Sequence, residues 1–288
     1  MVPRRSSGPW RSRRGAGTAT RRRLDAEMVR RQLVASRSLA RDVIQAGRVT
    51  VAGAPVFKPA RLVDPGDPIV VAGEPRPFVS RGGQKLAAAL DGFAIEVAGH
   101  RVIDCGASTG GFTDCLLQRG AAEVVAVDVG RGQLHHSLIV DERVRNVERT
   151  NVRYVTPHDL GGTVPLVVAD LSFISLETVM PALIALVAPG GSLVALVKPQ
   201  FEVGRSVASR GRGVIRDPES WRSVLSTVQN AANAAGAVMM EVMTSPLTGA
   251  DGNVEFLARF VPLEDARCPP LTVAEIDAVV RRAEELHS

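Results

Sequence analysis

The chain has 288 residues, 45% hydrophobic and 23% charged, which suits one large folded domain plus a small one and excludes a wholly disordered or fibrous protein. All but three of the 35 Lys+Arg residues are arginine, the exceptions being Lys58, Lys85 and Lys198. The net charge of +5 is unevenly spread, with residues 1–85 strongly basic and residues 86–288 mildly acidic, as expected for a polyanion-binding module joined to a second domain.

Cys105, Cys115 and Cys268 lack C-x-x-C spacing, which speaks against a disulfide framework or a thiolate metal centre. The histidines show no H-x-x-x-H pattern, no apolar run is long enough to span a bilayer, and the arginine-rich start has no apolar core of a secretory signal. A cytoplasmic monomer without metal or membrane attachment is the expectation.

Residues 1–21 mix Arg, Ser, Gly and Pro without apolar periodicity and read as a disordered basic extension. Leu24, Met28 and Leu33, then Leu39, Val43 and Ile44, mark two short amphipathic helices split around Ser36, the second stopped by Gly47. Val49–Val51, a turn at Ala52-Gly53 and Pro55–Phe57 read as a hairpin, and Ile69–Val71 as a third strand. Residues 22–74 are therefore expected to form a small α+β module whose helices expose Arg30, Arg31, Arg37, Arg41 and Arg48. Residues 75–80 read as a stiff interdomain linker and 81–288 as the second domain.

In that domain, strands are expected at Arg101–Cys105, Glu123–Asp128, Arg145–Glu148, Leu166–Asp170 and Ser192–Lys198. They alternate with helices at Phe112–Gln118, from Gln133, at Leu176–Val187 and at 217–235. Strands near 237–244 and 254–261 follow, then a helix opened by the Thr272-x-x-Glu275 capping box. The alternation predicts an α/β, doubly wound, Rossmann-like sheet with an antiparallel hairpin at its edge.

After the first of these strands comes Asp104-Cys-Gly106-Ala-Ser108-Thr109-Gly110-Gly111-Phe112. A glycine-rich turn from strand to helix lets backbone N–H groups approach a ligand. A dinucleotide site favours G-x-G-x-x-G around a pyrophosphate, whereas this loop opens with an acid that repels diphosphate and suits an ammonium or sulfonium. Asp128, ending the second strand, is placed to accept from a ribose diol, and Asp170, a third acid, ends the fourth strand in the corresponding place. Together they indicate S-adenosylmethionine rather than NAD; the plainer reading is a tight turn with capping acids.

Lys198 ends an apolar strand, Lys85 lies in the first turn of a helix where the dipole disfavours a cation, and Glu255 alternates with apolar neighbours in the last hairpin. Lysine is the strongly basic side chain that can be tuned to accept a proton, and a hydroxyl attacking a methyl sulfonium needs such a base. Lys198 suits that role beside Asp170, with Lys85 and Glu255 positioning the hydroxyl. A structural Lys198–Glu255 ion pair is the alternative.

Ser80-Arg-Gly-Gly-Gln-Lys85-Leu, Asp104 to Phe112, Val168-Ala-Asp170-Leu-Ser-Phe-Ile-Ser175, Val197-Lys198-Pro-Gln-Phe-Glu202 and Gly252-Asn-Val-Glu255 occur in order. In these motifs the chain, from about residue 22 to its end, resembles the TlyA family of ribosomal RNA 2′-O-methyltransferases, some of them called haemolysins. The resemblance implies an FtsJ-like catalytic domain, a tetrad of Lys85, Asp170, Lys198 and Glu255 with Lys198 as base, and cytidine ribose as acceptor. It also implies an S4-like RNA-binding module.

Expected cofactor contacts are Asp104, Gly106, Ser108, Thr109, Gly110, Gly111, Phe112, Asp128, Asn151 and Asp170. Expected contacts to ribosomal RNA are Arg30, Arg31, Arg37, Arg41, Arg48 and Arg81, with the arginine-rich loop 205–216 as a further candidate. Against this stand a membrane-active haemolysin, which lacks a bilayer-seeking segment, and a non-catalytic ribosome-assembly factor, for which four filled tetrad positions would be unexplained. Pseudouridine synthesis, which also accompanies S4-like modules, would leave the glycine loop without a purpose.

Overall fold

The computed structural model describes residues 21–34, 36–45, 47–72, 77–203, 213–249, 251–266 and 269–287. The expected basic extension, apart from Arg21, part of the linker and most of the 205–216 loop lie outside them. The chain divides into two compact units, residues 1–74 and 75–288.

The first unit contains β1 (Arg22–Arg23), α1 (Leu24–Arg30), α2 (Arg37–Gln45), β2 (Val49–Val51), β3 (Ala54–Pro55), β4 (Leu62–Val63) and β5 (Ile69–Val71). Leu24 and Met28 of α1 meet Val43 and Ile44 of α2 over Val49, Val51 and Ile69. Gly47, at φ +69°, closes α2 with N–H bonds from Gly47 and Arg48 back to Ile44 and Val43. Ala52 and Gly53 both adopt positive φ, the conformation that a two-residue hairpin turn between β2 and β3 requires. The antiparallel β1–β4 pair was not foreseen, because two-residue strands carry no periodicity.

The second unit contains α3 (Gly82–Gly92), β6 (Arg101–Cys105), α4 (Gly111–Gln118), β7 (Glu123–Val127), α5 (His136–Ile139) and β8 (Val144–Val147). It continues with α6 (Pro157–Leu160), β9 (Val164–Ala169), α7 (Leu176–Ala185), β10 (Val187–Val197) and α8 (Pro199–Glu202). Last come α9 (Pro218–Ala234), β11 (Ala237–Thr244), β12 (Phe256–Pro262) and α10 (Val273–His287). The helix expected from Gln133 is a single turn at His136–Ile139, since the Gln133 side chain instead meets Ser108 on the wall of a cavity. Residues 77–80, expected as linker, are packed into this unit: Val79 N–H donates to Asp114, and Phe78 covers Gly83.

The strands form one seven-stranded sheet in the order β11-β12-β10-β9-β6-β7-β8. β10, β9, β6, β7 and β8 run parallel, and β12 runs antiparallel to both β10 and β11. Successive residues alternate between two core layers. Val102, Val124, Val168 and Leu196 face α3 and α4, while Ile103, Val125, Val167 and Val197 face α7, α9 and α10. The terminal hairpin is thus at the sheet edge as expected, but its second strand turns inward to lie against β10.

That inward turn positions the site. Val197 of β10 pairs with Phe256 of β12, so Lys198, leaving β10, and Glu255, entering β12, emerge at the same edge. β9 ends one residue before Asp170 and β6 ends at Cys105, which places Asp170, Gly106 and Lys198 together at the carboxyl ends of the parallel strands.

Candidate active site

Two lysine–carboxylate pairs form this edge. Lys198 Nζ lies 2.6 Å from Asp170 Oδ1, an ionic contact whose angles do not make a directed hydrogen bond, and donates to Ser172 Oγ at 3.0 Å. It also sits 5.8 Å from the centre of the Phe201 ring. Lys85 Nζ donates to Glu255 Oε2, and both side chains are buried. Gln200 Nε2 approaches the other Glu255 oxygen at 3.4 Å. The simple Lys198–Glu255 pair held open as an alternative is therefore not formed: each lysine has its own carboxylate.

A cleft of about 490 Å³ opens beside these pairs, lined by Gly106, Ser108, Asp128, Gln133, Asn151 and Asp170 among others. Its size suits a nucleoside-bearing ligand. Asp128 is fixed from below by N–H donors, Ser108 to Oδ2 at 2.8 Å and Gly130 to Oδ1 at 2.6 Å, leaving further lone pairs for a diol. Gly106, at φ +89°, could not carry a side chain, since a Cβ would stand 2.6 Å from the Asp170 carbonyl oxygen. Asn151 Oδ1 accepts the Arg153 N–H at 3.0 Å, capping the turn on the cavity wall.

A smaller recess of about 120 Å³, lined by Ser80, Lys85, Thr109, Gly111, Phe112 and Asp170 among others, links the glycine loop to the lysine pairs. Gly110 lines neither space; its φ of +95° and a Cβ position 2.2 Å from Leu138 make it a packing glycine.

Asp104 is likewise not on a cavity wall. It is fully buried beneath the loop, Oδ2 accepting from Thr113 Oγ1 at 2.6 Å and Oδ1 unpartnered. Burial pushes its carboxyl up to about 7, with Thr113 pulling the other way. The acid that sequence reasoning aimed at a cationic ligand supports the loop from inside.

Sequence reasoning did not assign Ser172, Glu202 or Asn253. Glu202 accepts from Ser175 Oγ at 2.6 Å and from Leu176 N at 3.0 Å, tying the segment after Lys198 to the segment after Asp170. Burial pushes this carboxyl up. Buried Asn253 holds Ile215 N and Gly213 O at 2.8 Å each, two residues before Glu255. All three lie inside the quoted motifs, which was the available signal. Their partners are remote in sequence, which hid their roles.

Arg81 donates to Thr248 O at 2.6 Å while remaining exposed. In the first unit, Arg30, Arg37 and Arg41 are exposed as expected. Arg31 is not: its guanidinium pairs with Glu27 at 2.7 Å and donates to the carbonyls of Asp67, Asp64 and Pro65, so its donors face the protein. Arg48 is half-buried, donating to Ala72 O at 2.8 Å.

A parallel sheet with a reversed penultimate strand, and a glycine loop and an acid at its carboxyl edge, is the architecture of a Rossmann-like methyltransferase domain. Family models agree: residues 78–260 match the FtsJ-like methyltransferase model and residues 22–69 the S4 domain model. The chain is 50% identical over 267 residues to the 16S/23S rRNA (cytidine-2'-O)-methyltransferase TlyA of Mycobacterium tuberculosis, covering 92% of this chain and 98% of that protein. Hemolysin A of Brachyspira hyodysenteriae is 38% identical over 240 residues, 83% of this chain and 99% of its own. A solved structure of a hemolysin-named Streptococcus thermophilus protein superposes with a TM-score of 0.73 at 39% identity, covering 93% of this chain and 97% of that one. The chain belongs to the TlyA family of FtsJ-like methyltransferases.

Proposed function

We propose that this chain methylates the ribose 2′-hydroxyl of a cytidine in ribosomal RNA, using S-adenosylmethionine. The observation that carries the reading is the convergence of Lys198–Asp170 and Lys85–Glu255 on one sheet edge beside the nucleoside-sized cleft. Gly106 and Ser108 would hold the cofactor's amino-acid end, and Asp128 and Asn151 its ribose. Bound there, S-adenosylmethionine supplies an electrophilic methyl group on a sulfonium.

The chain's own residues supply alignment and proton handling. Lys198 would take the 2′-hydroxyl proton as the oxygen–carbon bond forms and the carbon–sulfur bond breaks, the sulfur leaving as a neutral thioether, and Asp170 would balance the ammonium. Ser172 holds the amine's direction. Lys85, oriented by Glu255, donates to the acceptor oxygen and fixes its approach. The basic first unit binds the RNA backbone, so affinity falls as salt rises. Among the described residues no helix is long and apolar enough to cross a membrane.

The test uses labelled S-adenosylmethionine, the purified chain, and separate small and large ribosomal subunits lacking the modification. Label is expected in 2′-O-methylcytidine, abolished by Lys198→Ala and severely reduced by Lys85→Arg. Transfer to neither subunit refutes the function. Undiminished transfer by Lys198→Ala refutes the assignment of the base.

A further inference from the structure

The strand register alone would join Lys198 to Glu255. Val197 of β10 faces Phe256 of β12, Lys198 keeps an extended backbone, and Ser245 N–H still donates to Glu255 O at 2.8 Å. Lys198 and Glu255 are therefore the next facing positions of an antiparallel ladder, where Cβ atoms stand about 5 Å apart and opposite charges attract. They also share a face of the sheet, since Leu196 and Leu257, two residues away on each strand, lie together in the core layer that meets α3. Yet Lys198 pairs with Asp170, and Glu255 with Lys85.

What keeps the neighbours apart is on the Glu255 side. Its Oε2 accepts from Lys85, and Gln200 Nε2 approaches its Oε1 at 3.4 Å. Gly249 closes another side of Oε1, where a Cβ would stand 2.6 Å from that oxygen. Gln200 lies two residues after Lys198, in the single turn of α8. A carboxylate only accepts, so the carboxamide turns its nitrogen to Glu255, and its own oxygen is left buried with no partner among the described residues. An apolar side chain of the same length would strand no acceptor and would serve folding better. The glutamine is accounted for by its contact with Glu255.

We propose that Gln200 is a positioning residue that sorts the two ion pairs, keeping Glu255 on Lys85 and leaving Lys198 with a single carboxylate. In its catalytic consequence the proposal rests on the reading of Lys198 as the base. A lysine facing two carboxylates holds its proton more tightly than a lysine facing one, which works against an amine that must accept a proton. The other charged groups around this edge have partners of their own: Glu202 binds Ser175 and Leu176, Arg81 binds Thr248 O, and Asp104 binds Thr113 beneath the loop. Glu255 is the carboxylate that can join Lys198 once Gln200 releases it.

With three lysines in the chain, each can be followed separately. The full chain is labelled with ε-13C-lysine, and the three resonances are assigned with Lys58→Arg and Lys85→Arg. Each is titrated from neutral to alkaline pH while circular dichroism reports folding. Gln200→Met, similar in length but unable to donate, is expected to move the Lys198 midpoint to higher pH by about one unit and to leave Lys58 in place. Methyl transfer to ribosomal subunits at neutral pH is expected to fall about tenfold, the loss of free amine that such a shift entails. Gln200→Asn keeps the amide but is too short to reach Glu255; it should behave alike, and it decides if Gln200→Met does not fold.

A Lys198 midpoint that stays or falls overturns the proposal, whatever happens to the rate. A midpoint that rises with undiminished methyl transfer supports the sorting and refutes Lys198 as the base. An unaltered chain that transfers no methyl group refutes the proposed function, and the titration still decides the sorting.

Discussion

The Lys85–Glu255 pair separates stability from catalysis in one set of variants. Both side chains are nearly inaccessible, 9% and 3% exposed. Glu255→Ala would strand a buried ammonium with no anion, a perturbation that costs about 3–5 kcal/mol. For a domain of this size each kcal/mol lowers Tm by about 2–4 °C, so the loss is about 6–20 °C. Replacing both members with an apolar residue of similar length, Lys85→Met with Glu255→Met, removes the stranded charge and is expected to recover most of that loss. Both variants should lack methyl transfer, since neither keeps an oriented ammonium at residue 85. Thermal unfolding by circular dichroism, with labelled methyl transfer on the same samples, reads both quantities. A double variant as unstable as Glu255→Ala would refute the stranded-charge argument. A double variant that still transfers methyl groups would remove Lys85 from the reaction.

Further outcomes follow from single residues. Asp104 has a carboxyl raised by burial to about 7, so the stability of its protonated form is full below the usual carboxylate range and is lost as pH rises through about 7; Asp104→Asn should remove this decline, read as Tm from pH 5 to 8. Glu202→Ala leaves the Leu176 N–H without its carboxylate and frees the Asp170 segment from the Lys198 segment. It is expected to cost about 1–3 kcal/mol and to lower kcat with cofactor affinity unchanged by calorimetry, Glu202→Gln restoring part of the rate. Gly110→Ala combines a left-handed backbone with a Cβ pressed on Leu138. The expected cost is about 1–3 kcal/mol, with weaker cofactor binding as the loop shifts.

The order of strands and helices in the second unit was legible because period-2 apolar runs alternate with amphipathic segments, and the observed strands fall within a few residues of those expected. Lys85, Asp170, Lys198 and Glu255 were legible as chemistry, since each charge interrupts an apolar context. How they divide into pairs was not, because it depends on β12 lying inside β11, which a hairpin pattern cannot reveal. The burial of Asp104 escaped for a related reason: an acid at a strand end looks the same in sequence whether the following loop covers it or exposes it. In the first unit, helical spacing identified the arginines but not the orientation of their donors. Arg31 turns inward because the Asp64–Asp67 turn brings three carbonyl groups to it from more than thirty residues away.

The inward placement of β12 also has a temporal side. A ribosome making this chain releases the glycine loop, Lys85, Asp170 and Lys198 well before residues 255–262, so the parallel part of the sheet can assemble while β10 still lacks its neighbour. Until Glu255 arrives, Lys85 has no carboxylate, and the hydroxyl-positioning half of the edge is missing. The strand that completes the sheet is the one that delivers the last acidic group of the tetrad. Synthesis therefore ends the sheet and completes the proposed reaction site in a single step, and a nascent chain stopped after residue 244 would have the cleft but not the full tetrad.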